Sequence, residues 1–497
     1  MASPSTSHRN SVLLALAMLV PVSPLFAQDF RQELAFHGNA SAPDLVCPGR
    51  RSAASRPTAP PTDMVPPEEL LRDDAINPEY AAAAPPALPA EVLSGFSLPT
   101  TPGRQLRIGV WGDSHVAAGF ITDEMARVAL GKGIDARTTF VPATVGRPGI
   151  RLGLKKVCKG DAWRFESAYI APGQVRVGPG LATLRSTAVG SYLWLDMRGA
   201  TWGPVMRVEI LYAPVRAQTA AAIGVRVDEG GEVRFGLASE ASELGPAVIS
   251  LNGVTSLSTI KLRVLRGEFV LHGFRVTYDS RPALAIDVFG IPSATAKGWA
   301  NVDVDYFRRS IGDASYDAVV LEYGTNEGAA AKFDSERYTA TLVSSLRNLR
   351  AVFPSSACVL MGPTDRGVRI PRRARNRGKI DLLRYSRTHQ EITRIQREVG
   401  AGYNCAVWDW QAYMGGAGAI YRWALRKPPL ASSDLIHLTL AGYRQSAVAL
   451  LNSLGWVTAP AASTPQAPAD LFVPQRGDRI DARGTPSRPV PGNQRRD

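Results

Sequence analysis

Cysteine, histidine and long apolar runs are what this chain has least of. Four cysteines, Cys47, Cys158, Cys358 and Cys405, and six histidines are scattered through 497 residues. None of the cysteines has the spacing of a metal-binding motif, so no structural metal centre is predicted. Beyond residue 26 no apolar stretch is long enough for a membrane-spanning helix. Acidic residues are outnumbered 44 to 57 by Lys plus Arg, a formal charge of +13. A basic surface concentrates polyanions around it. With no nucleic-acid-binding fold in sight, acidic polymers or anionic head groups are better matches than nucleic acid, and a solvated loop explains the densest basic run, Arg366 to Lys379, equally well.

The ends of the chain are set apart by composition. Residues 1–27 have His8 and Arg9, an apolar run from Val12 to Phe26 and a closing Ala27, which reads as a secretory signal peptide. Export to the periplasm or outside the cell, with no integral span after cleavage, is the expectation. Residues 28–103 are rich in Ala and Pro and read as a linker or an extended wrap; residues 458–497 read as a disordered tail. Four thiols in an exported chain predict up to two disulfides, with three full pairings possible. Cys358 and Cys405 each open a predicted strand, which favours that bridge and leaves Cys47 for Cys158.

Between the ends, Leu106–His115 (LRIGVWGDSH) is a short buried-strand pattern that stops at Gly112-Asp113-Ser114-His115. Ser114 then sits where a strand gives way to a helix, at the sheet edge where open α/β folds place ligands. By itself the tetrapeptide suits a helix cap just as well. Two further stretches change the balance: Tyr323-Gly324-Thr325-Asn326-Glu327 after the buried run Ala318–Leu321, and Asp434-Leu435-Ile436-His437 ahead of an amphipathic segment. A serine hydroxyl needs an adjacent base to act as a nucleophile, and the base needs an orienting group. His437 and Asp434 supply those types, three positions apart and so on one face if helical.

These three blocks, in this order, resemble those of the SGNH (GDSL-type) hydrolases. The resemblance implies a three-layer α/β/α fold, Ser114, Asp434 and His437 as catalytic residues, and an oxyanion hole from the Ser114 N–H, the Asn326 side chain and a backbone N–H of the second block. That block matches best at Ile286–Trp299, with Ser293 where the family has glycine and Gly290 as the alternative. Gly328 after GTNE, Met361–Arg366 and Met414–Trp423 are similar to the exported peptidoglycan O-acetylesterases. That likeness implies an acetylated glycan as partner, most directly the 6-O-acetyl of N-acetylmuramic acid, with no metal or cofactor. The same triad would serve an O-acetyltransferase, and an inert triad would leave a glycan-binding protein.

The 212 positions between Ser114 and Asn326 far exceed one βα unit. From Val175 to Tyr278 short alternating runs such as Met206–Tyr212, Ile223–Val227 and Glu268–Tyr278 predict an inserted β-sandwich or jelly roll. Strand signals at 106, Ala283–Val288, Ala318–Leu321, Ala357–Met361 and Cys405–Trp408 alternate with helical ones at Val302–Ile311, Asp334–Val352, Ile380–Val399 and Thr439–Leu451, which predicts a five-stranded parallel sheet. The expected layout is therefore hydrolase residues 104–148, insert 149–282 and hydrolase residues 283–457. Several conspicuous residues take modest roles in this reading. His115 is structural or beside the site, His272 is packing or surface, His389 is solvated and Glu327 starts a helix. Trp299 and Trp423 are core, and Asp365 and Arg366 lie at the pocket edge.

Overall fold

The computed structural model describes residues 31–49, 64–70, 88–199, 203–241, 244–312, 314–372 and 380–457. The expected signal peptide, the tail 458–497 and residues 373–379 of the arginine-rich run lie outside them.

One sheet carries the strand that ends at Ser114. Its order is Cys405–Trp408, Ala357–Met361, Ala318–Glu322, Leu106–Gly112, Leu284–Gly290 and Ala136–Arg137, and every neighbouring pair is parallel. The sheet has six strands rather than the expected five, because Ala136–Arg137 adds a two-residue edge too short to show in any sequence pattern. Strands buried on both faces read as continuous apolar runs, and Ala318–Glu322 is buried at every position. Helices Phe120–Gly131 and Leu440–Ser453 pack together, as do Ser335–Val352 and Arg384–Ala401. Side-chain caps fix several helix starts: Asp303 accepts from Tyr306 N–H, Asp334 from Arg337 N–H and Thr439 from Gly442 N–H, each satisfying a donor that has no partner within the helix.

Trp111 is the centre of the core around this sheet. Its ring stacks on Phe289 at 4.7 Å and meets Trp299 and Tyr316 edge-on at 5.2 and 5.5 Å. Its Nε1–H donates to Pro179 O, 2.8 Å away in the insert, which satisfies the one polar atom of a fully buried ring. Trp299 and Trp423 are core residues as expected.

The insert has two main sheets around a shared apolar core in which Leu193, Leu195, Ile210, Ile223, Ile249, Leu262 and Phe274 are all buried. The larger sheet runs Arg31–Phe36, Ala247–Leu257, Val205–Ala213, Phe269–Tyr278, Ala182–Ser186 and Arg164–Ser167, with Phe140–Pro142 also paired to Phe269–Tyr278. The smaller runs Val233–Gly236, Ala222–Val227, Thr259–Arg266, Tyr192–Asp196 and Lys156–Lys159. Two expectations change here. Phe140–Pro142 places the start of the sandwich before residue 149. Part of the presumed linker 28–103 is also a strand: Arg31–Phe36 pairs in parallel with Val248–Gly253. The alternation of Leu34 and Phe36 is lost in the average over an Ala/Pro-rich segment.

The four cysteines form Cys47–Cys158 and Cys358–Cys405. The second joins residues directly opposite in adjacent parallel strands. The first ties the segment that follows Arg31–Phe36 to the smaller sheet across a sequence separation of 111. Replacing Cys47 and Cys158 by serine should lower stability by roughly 2–5 kcal/mol and open residues 37–49 to proteases. Chemical denaturation and limited proteolysis check this, and an unchanged midpoint would show that the strand alone anchors the segment.

Candidate active site

The chain leaves the Leu106–Gly112 strand into a four-residue helix, Ser114–Ala117, capped by the Asp113 carboxylate, whose Oδ1 accepts from His115 N–H at 2.9 Å. This turn is packed tightly against the end of the neighbouring strand: a Cβ on Gly290 would lie 2.1 Å from Ala117 N. Gly290 is therefore fixed by close approach of two backbones. Ser114 opens the first helical turn, so its own N–H has no acceptor within the helix.

Three side chains expected to meet do so. Ser114 Oγ lies 2.9 Å from His437 Nε2, and His437 Nδ1 lies 2.7 Å from Asp434 Oδ2. Because a carboxylate only accepts, Nδ1 carries the proton and Nε2 is left to accept the serine O–H. The local structure differs from a helical turn. Asp434 and His437 sit in a loop closed by a bridge between Ala431 and Leu438. Asp434 Oδ1 accepts the N–H groups of Ile436 and His437, each at 2.9 Å, and Leu435 has φ 58°. The aspartate thus folds its own turn with one oxygen and holds the imidazole with the other.

The Asp434 hydrogen bond raises the His437 pKa above its ordinary 6.5, against the pull of burial. Burial works to raise the Asp434 carboxyl, but the bonds from the His437 ring and from the two N–H groups outweigh it and hold it at about 2. The pair is an ionised carboxylate holding a basic imidazole.

The second group of expected residues lies alongside. Asn326 Nδ2 donates to Asp113 Oδ2 at 3.0 Å and to Ala294 O at 2.9 Å, so it links the residue before Ser114 to the residue after Ser293. An amide nitrogen has two hydrogens, and both have acceptors here. Asn326 is therefore not the free donor the sequence reading expected; serving an oxyanion means exchanging one of these bonds. Ser293 is exposed and adopts φ 69°, the left-handed region that glycine occupies at less cost.

Behind the nucleophile are groups that sequence reasoning missed. Asp113 and Glu322 are fully buried. Asp113 N–H lies 3.3 Å from Glu322 Oε2, and the two buried carboxyls act on each other's ionisation. Burial pushes Asp113 up to about 6, and burial plus the Asp113 charge push Glu322 well above the usual range. Glu322 is thus the acid and Asp113 the carboxylate of a pair sharing one proton. Glu327 starts a short helix as expected, yet it is also a strut: it accepts from Ala296 N–H at 2.9 Å and Gly324 N–H at 3.1 Å, and burial pushes it up to about 7.

Three other histidines are buried in the fold. His115 is buried, with Nδ1 2.9 Å from Tyr443 Oη, and burial takes its pKa down to about 3. His272 is buried against Tyr306 at 2.7 Å. His389 is not solvated as expected: it is fully buried, with Nδ1 2.6 Å from Thr364 O, on the inner face of a helix whose arginines dominate its sequence. Asp365 is also internal, accepting from Gln411 Nε2 and Ile420 N–H. Of the two residues assigned to the pocket edge, Arg366 alone is partly exposed. Among the described residues no cluster of His, Cys, Asp and Glu could hold a metal ion.

Two predictions follow from the proton positions. A base must be neutral, so turnover of an activated ester should fall as pH drops through a His437 pKa above 6.5. Asp434→Asn should move that limb to lower pH and cut kcat by on the order of a thousandfold or more; a limb that stays in place would free His437 from Asp434. Glu322, with its pKa raised in the fold, makes stability decline as pH rises above the usual carboxylate range. Glu322→Gln mimics the protonated acid and does not titrate, so its stability relative to the parent should grow between about pH 5 and about pH 8. Parallel slopes in urea denaturation would contradict a protonated Glu322.

Residues 272–445 match the GDSL-like Lipase/Acylhydrolase family. Among solved structures, the chain is similar to one described as "Peptidoglycan O-acetylesterase in action", with 20% identity and a TM-score of 0.53, over 73% of this chain and 93% of that one. Family two carbohydrate esterases are also similar. The one from Cellvibrio japonicus has 10% identity and a TM-score of 0.24, over 59% of this chain and 98% of its own. The one from Clostridium thermocellum in complex with cellohexaose has 8% identity and a TM-score of 0.25, over 61% and 100%. No curated protein matches the sequence. With its serine, histidine and aspartate in line at the edge of a parallel sheet, the chain is similar to GDSL-like lipases/acylhydrolases over residues 272–445 and, in fold, to the peptidoglycan O-acetylesterase structure.

Proposed function

We propose that the chain is a carbohydrate esterase that removes O-acetyl groups from a cell-wall or surface glycan, with the 6-O-acetyl of N-acetylmuramic acid in peptidoglycan as its substrate. The observation that carries this reading is the unbroken hydrogen-bond line from Ser114 Oγ through His437 to Asp434. Ser114 attacks the acetyl carbonyl as His437 Nε2 takes its proton. The imidazolium, stabilised by Asp434, then protonates the departing sugar hydroxyl. Water, deprotonated by the same nitrogen, releases acetate from the acetyl-enzyme.

The tetrahedral oxyanion would be met by the Ser114 N–H, the Ser293 N–H and Asn326 exchanging its bond to Ala294 for one to the oxyanion. Each such donor contributes about 3 kcal/mol to the transition state in comparable sites. Likeness in fold to the peptidoglycan O-acetylesterase supports the choice of glycan. So does the outer face of the insert's smaller sheet, where Tyr192 and Trp194 lie 5.3 Å apart with Lys261 over the tryptophan ring; such aromatic surfaces suit sugar rings. Export to an oxidising compartment fits the two disulfides, and among the described residues no helix is long and apolar enough to cross a membrane.

Incubating the full chain with O-acetylated peptidoglycan should release acetate. Ser114→Ala should reduce the rate by about a thousandfold or more while leaving the unfolding midpoint near that of the parent. Acetate release that survives this substitution would rule out Ser114 as the nucleophile. Transfer of acetyl to a glycan acceptor at the expense of free acetate would instead make the chain a transferase.

A further inference from the structure

Arg366 is a charged group beside the triad that the chemistry above leaves unused. It lies on the loop leaving the Ala357–Met361 strand, and two hydrogen bonds fix its place. Gly367 N–H donates to Leu435 O at 2.8 Å, inside the turn that carries Asp434 and His437. Arg366 Nη1 donates to Thr325 O at 3.2 Å, the residue before Asn326. The guanidinium is therefore tied to the loop of the amide, and the backbone of the next residue to the loop of the base. Its flat face lies over the Tyr385 ring at 4.5 Å, and Arg384 lies over the same ring at 4.4 Å.

Its surroundings are unusual for an arginine. The side chain is partly buried, its Nε is fully buried without a hydrogen-bond partner, and among the described residues it has no ion pair. More exposed arginines on the helix Arg384–Ala401 do find acids, Arg394 with Glu391 and Glu398, and Arg397 with Asp409. A guanidinium does not lose its charge in proteins, and a desolvated charge without a direct ion pair is costly; the Asp434 and Asp113 carboxylates favour it only through their fields. Burial accordingly pushes the Arg366 pKa down. Its field also opposes protonation of His437, the step that nucleophilic attack requires. An anion seated on Arg366 would answer its charge and lift that opposition.

We propose that Arg366 is a specificity-determining residue that seats a carboxylate of the substrate beside the scissile ester, so that the preferred substrate is an acetylated sugar bearing an acid group. This rests on the esterase reading above and narrows it. A guanidinium fork matches a carboxylate with two parallel hydrogen bonds, and the lactyl acid of a muramyl residue or its stem-peptide carboxylates would supply one.

The test compares kcat/KM of the full chain on an O-acetylated muramyl glycoside with its carboxylate free and on the same compound amidated, with p-nitrophenyl acetate as a reporter of the triad. The parent should prefer the free acid by about tenfold or more. Arg366→Gln should bring the ratio of the two close to one, and Arg366→Lys, with charge but no fork, should keep part of the preference. Unfolding midpoints establish that both variants fold. No preference in the parent, or the same preference in Arg366→Gln, overturns the proposal. If the parent hydrolyses none of the three esters, the esterase reading fails on its own terms. Calorimetric titration with the unacetylated acid and amide then decides the seat: tighter binding of the acid, lost in Arg366→Gln, supports it, and equal binding of the two overturns it.

Discussion

The Asp113 carboxylate is a buried anion on which the placement of the nucleophile depends. Its Oδ1 caps the helix that opens at Ser114, its Oδ2 takes a hydrogen of Asn326, and Glu322 meets it from the adjacent strand. A carboxylate removed from water survives only when its lone pairs are all answered. The His115 N–H and the Asn326 amide do that here, one from the turn of Asp113 itself and one from the loop after the adjacent strand. Satisfying one charge therefore ties the Ser114 turn to the end of the Ala318–Glu322 strand and the loop that carries Asn326. Ser114 is rigid because its neighbour cannot be left unpaired.

The imidazole is held by a separate and purely local device. Asp434 closes a tight turn through its own backbone and presents its second oxygen to His437. The two devices meet at the 2.9 Å contact between Ser114 and His437, with His115, Tyr443 and Thr364 packed beneath it. Buried neutral at about 3, His115 supports the site without competing for the proton that His437 must take.

What could be read from the residues follows this division. The Asp434 turn spans four positions and Ser114 ends a continuous apolar run, so both leave a local trace. Buried parallel strands such as Ala318–Glu322 show themselves for the same reason, and so do the alternating strands of the insert. Asp113 and Glu322 are 209 positions apart, and nothing near either residue signals their contact. His389 looked solvated because the arginines around it face outward, while its own position faces inward. The commitment of the Asn326 amide to Ala294 follows from how two loops meet, which no linear pattern encodes. Arg31–Phe36 was hidden by its neighbours' composition, and Ala136–Arg137 is shorter than any periodicity.

The pairing of Arg31–Phe36 with Val248–Gly253 bears on the order of assembly. A strand near the amino terminus lies beside one that is synthesised some two hundred residues later, so as the chain emerges the early segment must wait, unpaired, for its partner. The larger sheet of the insert cannot gain its outer strand until most of that insert has appeared. The triad waits longer still, since Ser114 is made early and His437 close to the last described helix. An incompletely synthesised chain would thus hold its nucleophile without a base, and hydrolytic chemistry would arrive only with the final turn of the fold.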